Sequence, residues 1–333
     1  MRSNKRVARA SSIALAVLFS LFMVTSPPAR AQTPGGKTIA LTFDDLPVST
    51  IGQDPSPAAQ TRAKEITTKI LTILKKHNAP ATGFVNEEKL NTPGARDARA
   101  SLLEDWLNAG MELGNHGYSH LQFSNVSLAA YEDDFVRGDV ITLLLVKMHG
   151  GDAPKYFRYP FNDTGDTAEK KQSFVQFLKS RNYAIAPMTF ENDDWIYTAL
   201  YEPGMAKGDA ETMARLKAAY LEESEREITN VEQLSQTLFG RQIPQIADLH
   251  VNGVNADVLD ELLSLLEKRG YKFVRLETAL SDSAYQTRDE FVGSAGISWL
   301  HRWQPALGKK MDFSGDPEPA KWVQEDYKKL IAK

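Results

Sequence analysis

The chain has 333 residues, no cysteine, and 43 acidic against 39 basic side chains, for a formal net charge of −4. Without thiols it can hold no disulfide, no thiolate zinc site and no cysteine nucleophile, so any metal must be bound by His, Asp or Glu. The acidic balance gives no nucleic-acid footprint and suits a neutral or cationic substrate.

The first 31 residues read as a targeting segment. Arg2, Lys5, Arg6 and Arg9 form a basic start, and Ile13 to Val24 is an apolar run shorter than the ~20 residues a membrane span needs. Pro27-Pro28 breaks it, and Ala29-Arg30-Ala31 offers small residues at the cleavage positions. A secretory signal peptide cut after Ala31 is expected, with an uncleaved anchor as the alternative. The segment carries five basic residues and no acidic one, so its removal takes the net charge from −4 to −9 and leaves 302 residues. That length allows one large domain or two ordinary ones. The product is expected to be exported, periplasmic or secreted, with no stable membrane insertion after cleavage.

A linker, residues 32–37, leads into the β-rich run Thr38–Phe43, which ends in two aspartates. Helical periodicity follows over Pro57–Lys76, then a strand at Ala81–Val85, a helix at Ala98–Ala109 and a strand at Met111–Gly114. Leu128–Met148 reads as one helix, Tyr156–Arg158 as a strand, Ala168–Ser180 as a helix and Tyr183–Phe190 as a strand. Residues 196–244 carry no strand signal and read as helices over Asp209–Glu227 and Val231–Phe239. Gln245–His250 is the next strand, Val254–Lys268 a helix and Lys272–Arg275 a last strand. Alternating strands and helices predict a parallel sheet with helical crossovers, and this many strands favour a barrel. The barrel domain is expected over residues 38–284, with 196–244 as a helical insertion and 285–333 as an extension packed on it.

Five polar clusters stand out: Thr42-Phe43-Asp44-Asp45, His116-Gly117-Tyr118-Ser119-His120, Arg158-Tyr159-Pro160-Phe161, Asp193-Asp194-Trp195 and Asp248-Leu249-His250. They fall at or just past the C-terminal ends of strands, where such barrels build active sites. Two histidines four apart plus one carboxylate can hold a cation and leave positions open for water and substrate. Paired carboxylates can divide the work of ligand and base. Arg158, set among aromatic residues, needs a carboxylate partner. Taken singly, each cluster also has an ordinary structural reading: loop histidines, an Asx turn before Leu46-Pro47, an arginine stacked on a surface aromatic, a capping aspartate, a barrel-end histidine. His77 and His149 fall at helix C-termini and read as structural.

In order and spelling the clusters resemble the polysaccharide deacetylases of the NodB-homology type, a carbohydrate esterase family. The resemblance implies an α/β fold, a distorted (β/α) barrel with the helical insertion before the last catalytic strand. It implies metal-dependent hydrolysis of N-acetyl groups from a polysaccharide or oligosaccharide, chitooligosaccharide- or peptidoglycan-like, releasing acetate. Carried over, Asp45, His116 and His120 are the ligands of one divalent ion, Zn2+ first, with Co2+, Mn2+ or Ni2+ as alternatives. Asp44 is the general base and His250 the general acid. Arg158 orients Asp44, Asp194 supports the charge network, Trp195 lines the pocket for the acetyl methyl, and the Phe161 N–H helps to hold the oxyanion. Several positions depart from the pattern. Asp248 stands where the fifth motif has leucine, Gly117 where Ser or Thr is usual, Glu191 where Asp often begins the fourth motif, and Asn162 where Gly is frequent. The same site also suits an O-acetyl ester or an N-formyl sugar, and an idle carbohydrate-binding member is the non-enzymatic alternative. Trp299 and Trp303 read as a stacking platform or, more commonly at that spacing, as core.

Overall fold

The computed structural model describes residues 36–332. The expected signal peptide, and all of the linker before Gly36, lie outside the described residues. Strand β1 (Thr38–Leu46) is the centre of the sheet, and every residue of it except Asp45 is buried. It is buried because it is covered on both faces, as a near-continuous apolar run between parallel neighbours must be. It pairs in parallel with β2 (Ala81–Val85) on one side and β7 (Gln245–His250) on the other. Strands β3 (Glu112–Asn115), β4 (Tyr156–Phe157) and β5 (Ala184–Ile185) extend the β2 side, and β6 (Phe190–Glu191) extends the β7 side. The short β8 (Lys272–Phe273) pairs with the first residues of β1.

The sheet order explains the barrel. β5 and β6 lie at opposite edges of the sheet, yet Ile185 and Phe190 are only five residues apart in sequence. Five residues span at most about 18 Å, so the two edges must curl towards each other. The single strand expected over Tyr183–Phe190 is this closing segment. Its first half bonds to β4 (Ala186 N–H to Phe157 O, 2.8 Å) and its second to β7 (Thr189 N–H to Ile246 O, 2.9 Å). The fold is a curled parallel sheet wrapped by helices, the distorted (β/α) barrel anticipated from the sequence.

The crossover helices form for the local reasons the sequence suggests. In α1 (Pro57–Lys76), Ser56 accepts from the Ala59 N–H at 3.2 Å and Pro57 opens the first turn. Its buried face is Ala63, Ile66, Ile70, Ile73 and Leu74, the spacing of one helical stripe. Helices α2 (Arg96–Asn108), α5 (Ala168–Ser180) and α8 (Gly253–Lys268) fall close to their expected limits. The helix expected over Leu128–Met148 is instead two, α3 (Leu128–Arg137) and α4 (Val140–Met148). The break falls at Gly138, where a Cβ would lie 2.5 Å from the Gly117 carbonyl carbon, so only glycine allows this close approach. The chain bends where helix backbone presses on the first histidine loop.

The insertion also differs in detail. It forms α6 (Asp194–Lys207) and one unbroken 30-residue helix, α7 (Ala210–Phe239), rather than two shorter ones. Tyr197, Tyr201, Leu216 and Tyr220 of this pair form a buried cluster with Val254 and Val258 of α8. Val323 of α11 (Lys321–Ile331) joins the same cluster. Trp299 and Trp303, in and just after α10 (Trp299–Arg302), are 5% and 1% exposed within the main core, so they are packing residues and not a platform.

Candidate active site

All nine residues singled out in the sequence meet at the C-terminal end of the strands. Asp44, Asp45, His116, His120, Phe161, Trp195 and His250 line one cavity of about 610 Å³. Arg158 and Asp194 stand behind it, each bonded to a lining residue. Strand geometry accounts for the convergence. β1 and β7 pair so that Asp44 lies opposite His250, and Asp45 turns aside at φ 68° as the strand ends. Among the described residues seven non-glycines have positive φ. Five of them, Asp45, His120, Phe161, Asn162 and Asp193, line this cavity. Each such residue costs on the order of 1–3 kcal/mol, and strain of this kind gathers where side chains must be aimed.

Asp45, His116 and His120 form the one group of possible metal ligands found among the described residues, with ligand atoms all within 4.8 Å of one another. The His120 Nε2 lies 3.6 Å from Asp45 Oδ1. The Nδ1 of His116 is bonded to the Arg158 carbonyl at 2.9 Å, which fixes the ring and leaves Nε2 towards the cavity. Burial, then the neighbouring His120, pushes His116 down to about 3, and burial also lowers His120. Both shifts favour the neutral imidazole, the form a cation requires. Burial alone would raise Asp45, but Lys89 and the surrounding imidazoles outweigh it and hold the carboxylate well below its usual range. The residues present therefore fit a divalent cation.

Residues that the sequence reading passed over hold this loop in place. Asp134 on α3 accepts from the Tyr118 N–H at 2.9 Å, the Ser119 N–H at 3.1 Å and the Ser119 hydroxyl at 2.5 Å. It also explains Gly117, whose φ is 74° and whose Cβ would fall 2.6 Å from Asp134 Oδ2. Only glycine fits that position. Asn86 donates to the His116 carbonyl at 2.7 Å, and the Lys89 ammonium lies 3.0 Å from Asp45 Oδ1. The sequence signal for Asp134 was an acid between Tyr131 and Phe135 on the buried face of a helix, since all three are buried. Lys89 and Asn86 gave no such signal.

On the opposite wall, His250 Nδ1 is 2.7 Å from Asp194 Oδ1. Asp194 Oδ2 accepts from the His250 N–H at 2.7 Å, Asn252 at 3.1 Å and Asn255 at 2.5 Å. Burial opposes a charged His250, but Asp194, then Asp45 and Asp248, overcome it and raise the imidazole well above its ordinary value. The insertion supports this group from behind: the Tyr220 hydroxyl on α7 donates to Asn255 at 2.6 Å.

Arg158 does more than orient Asp44. It is fully buried and reaches Asp44 Oδ2 at 3.6 Å, but its nearer carboxylate is Asp248, at 2.9 Å. Its Nη2 donates to Thr42 and its Nε to the Ala186 carbonyl, both at 2.8 Å. Burial, then the charge of Asp248, pushes Asp44 well above the usual carboxylate range, while Arg158 and His250 pull it down. Ionisation of Asp44 thus depends on the positive charge gathered around it.

The rim belongs to the aromatic residues and the C-terminal extension. Trp195 is 45% exposed and meets Tyr327 of α11 edge-on at 5.4 Å, which places it at the mouth and not on the floor. Phe161 is 53% exposed and packs on His120 at 4.4 Å. Ser294 and Gly296 of the extension line the cavity. Gly296 approaches so closely that a Cβ would lie 2.9 Å from the Phe161 carbonyl. Arg302, also buried, donates to the Asn162 carbonyl at 2.6 Å.

Residues 31–177 match a family model described as polysaccharide deacetylase. The chain is 24% identical over 255 residues to the peptidoglycan-N-acetylglucosamine deacetylase of Bacillus cereus, covering 74% of this chain and 69% of that protein. It is 28% identical over 144 residues to a bifunctional xylanase/deacetylase of Pseudobutyrivibrio xylanivorans, covering 43% of this chain and 20% of that one. Among solved structures, a mutant of a CE4 family pseudoenzyme known from Bacillus anthracis superposes with a TM-score of 0.50 at 18% identity. That match covers 74% of this chain and 68% of the other, and it bears on the fold alone.

Proposed function

We propose that the chain, whose residues 31–177 match the polysaccharide deacetylase family, is a metal-dependent hydrolase of N-acyl groups on an amino-sugar polymer or oligomer. The observation that carries this reading is the convergence of Asp45, His116 and His120 with two differently charged proton carriers, Asp44 and His250, in one cavity. A site that merely bound carbohydrate would need neither an acid nor a base.

A divalent cation, zinc first among the candidates, would be held by Asp45, His116 and His120 and would supply Lewis acidity to the water nucleophile and the acyl oxygen. The remaining work falls to the chain's own groups. Asp44, drawn towards ionisation by Arg158 and His250, takes the proton of the attacking water. The backbone N–H of Phe161, in a turn held by Arg302, stabilises the developing oxyanion. His250, kept protonated by Asp194, gives its proton to the departing amine, without which the C–N bond would not break. Trp195 offers a flat, half-exposed wall at the mouth for a sugar ring.

The basic start, short apolar run and small-residue cleavage site of residues 1–31 support export, which would bring the enzyme to polymers outside the cytoplasm. N-terminal sequencing of the protein recovered from the periplasm or medium should begin at Gln32. The activity test measures acetate release from chitooligosaccharide, peptidoglycan and acetylxylan, with and without chelator. Chelator-sensitive release from the first two is expected. Release from acetylxylan alone would assign the site to esters, and absence of any release would assign the chain to the idle members.

A further inference from the structure

The C-terminal extension lies outside the family-matched residues 31–177, yet it grips the turn whose N–H is assigned above to the oxyanion. That turn has an unusual backbone. Phe161 and Asn162 stand at φ 57° and 50°, the only successive non-glycine pair with positive φ among the described residues. Side chains resist this conformation, so two in a row persist only where the surroundings over-determine them. Bonds within the turn supply part of the hold: Asn162 N–H to Tyr159 O at 2.9 Å and Asp163 N–H to Pro160 O at 3.1 Å. The Asn162 side chain supplies another, donating to Asp248 at 2.9 Å.

The rest comes from residues 291–302. The Thr164 N–H donates to the Gly293 carbonyl at 3.1 Å. Gly296 abuts the Phe161 carbonyl and leaves no room for a Cβ. Arg302 donates from Nη2 to the Asn162 carbonyl at 2.6 Å and from Nε to the Ile297 carbonyl at 2.8 Å. Its guanidinium lies 3.8 Å over the Trp299 ring, and the Trp299 N–H is tied to Met188 O of the closing segment at 2.9 Å. Arg302 is fully buried, and the one carboxylate it approaches among the described residues, Asp289, is 3.8 Å away. A charge buried without a close counter-ion destabilises a core that an apolar side chain would fill more favourably. What Arg302 secures there is a grip on two carbonyls, one of them in the oxyanion turn.

We infer that Arg302 is a positioning residue for the reaction: from the C-terminal extension it fixes the Phe161–Asn162 turn so that the Phe161 N–H meets the oxyanion. This rests on the deacylase reading above, and it makes the extension a working part of the site. The N–H is needed only once charge develops on the acyl oxygen. Displacing it should therefore slow turnover and leave substrate and metal binding in place.

The test compares Arg302→Met with Tyr285→Phe in the metal-supplemented full chain acting on an N-acetylglucosamine oligomer. Tyr285 anchors the same extension at another point, its hydroxyl donating to the Pro244 carbonyl at 2.7 Å. Arg302→Met should lower kcat by about tenfold to a hundredfold, with KM within about twofold and metal content unchanged. A tetrahedral methylphosphonamidate of the same sugar should bind more weakly by the same factor. Arg302→Lys, able to keep one of the two carbonyl bonds, should recover part of the loss. Tyr285→Phe should lower Tm and keep kcat, whereas general loosening of the extension would lower kcat in both variants. Gly296→Ala, which drives a Cβ to 2.9 Å from the Phe161 carbonyl, should lower kcat in the same way and decides the matter if Arg302→Met does not fold. Unchanged kcat in Arg302→Met or Gly296→Ala, an equal loss in Tyr285→Phe, or undiminished phosphonamidate binding would overturn the inference and leave the deacylase reading intact. No acetate release by the unaltered chain would overturn both.

Discussion

His250 and Asp44 face one another across β7 and β1, yet the fold treats them differently. His250 rests on Asp194, whose two oxygens receive four donors, with Tyr220 and Asn255 braced behind it. Asp44 shares its arginine with a nearer competitor, Asp248, and keeps an oxygen without a donor. The proposed acid is thus fully braced within the protein. The proposed base sits instead in a shared charge network with Asp248 and Arg158. That asymmetry suits a hydrolase in which the acid must be ready before substrate arrives while the base is drawn into its working charge by what binds.

The largest effect is expected at the proposed metal ligands. His116→Ala should abolish metal binding and lower activity at least about a thousandfold, read by metal content per chain together with acetate release. Full activity with a full complement of metal would contradict the ligand assignment. Next comes Asp194→Asn, expected to lower kcat/KM by about a hundredfold or more. Its diagnostic is the pH profile. Asp194 raises His250, so the protonated acid persists to alkaline pH; without that carboxylate the alkaline limb should move to lower pH, towards the ordinary imidazole value of about 6.5. An unmoved limb would mean that His250 is not the group titrating there. Gly117→Ala, which forces a Cβ towards Asp134 at a positive φ, should cost about 1–3 kcal/mol in denaturant titration. The smallest effect is expected of Tyr220→Phe, about 1 kcal/mol of stability and a few-fold loss of kcat. Stability lost with kcat unchanged would confine α7 to a scaffold role.

Much of this arrangement was legible in the sequence because its parts are local. Asp44-Asp45 ends an apolar strand, the two histidines sit in one short loop, and Asp194 and His250 each belong to a compact motif. The helices α1 and α5 follow from caps and apolar spacing alone. What was hidden depended on contacts between distant segments. The Gly138 break needs the knowledge that α3 meets the His116–His120 loop, since Gly138 has no backbone peculiarity of its own. The closing segment 184–191 looks like one strand because both halves are extended, and only the pairing reveals two edges. Asn86 and Lys89 fall in the short turn that follows β2, with no pattern around them, and only the folded chain brings them to His116 and Asp45. The competition of Asp248 for Arg158 is likewise a packing fact: the residues are 90 positions apart, and a departure from leucine says only that something polar has entered.

The most direct test of the account is acetate release from a defined chitooligosaccharide by the full chain after exhaustive chelation, followed by titration with Zn2+. Activity should vanish with the metal and return at one equivalent per chain, and His116→Ala should neither bind nor respond. Undiminished release from the chelated protein, or recovery in His116→Ala, would contradict a centre built on Asp45, His116 and His120.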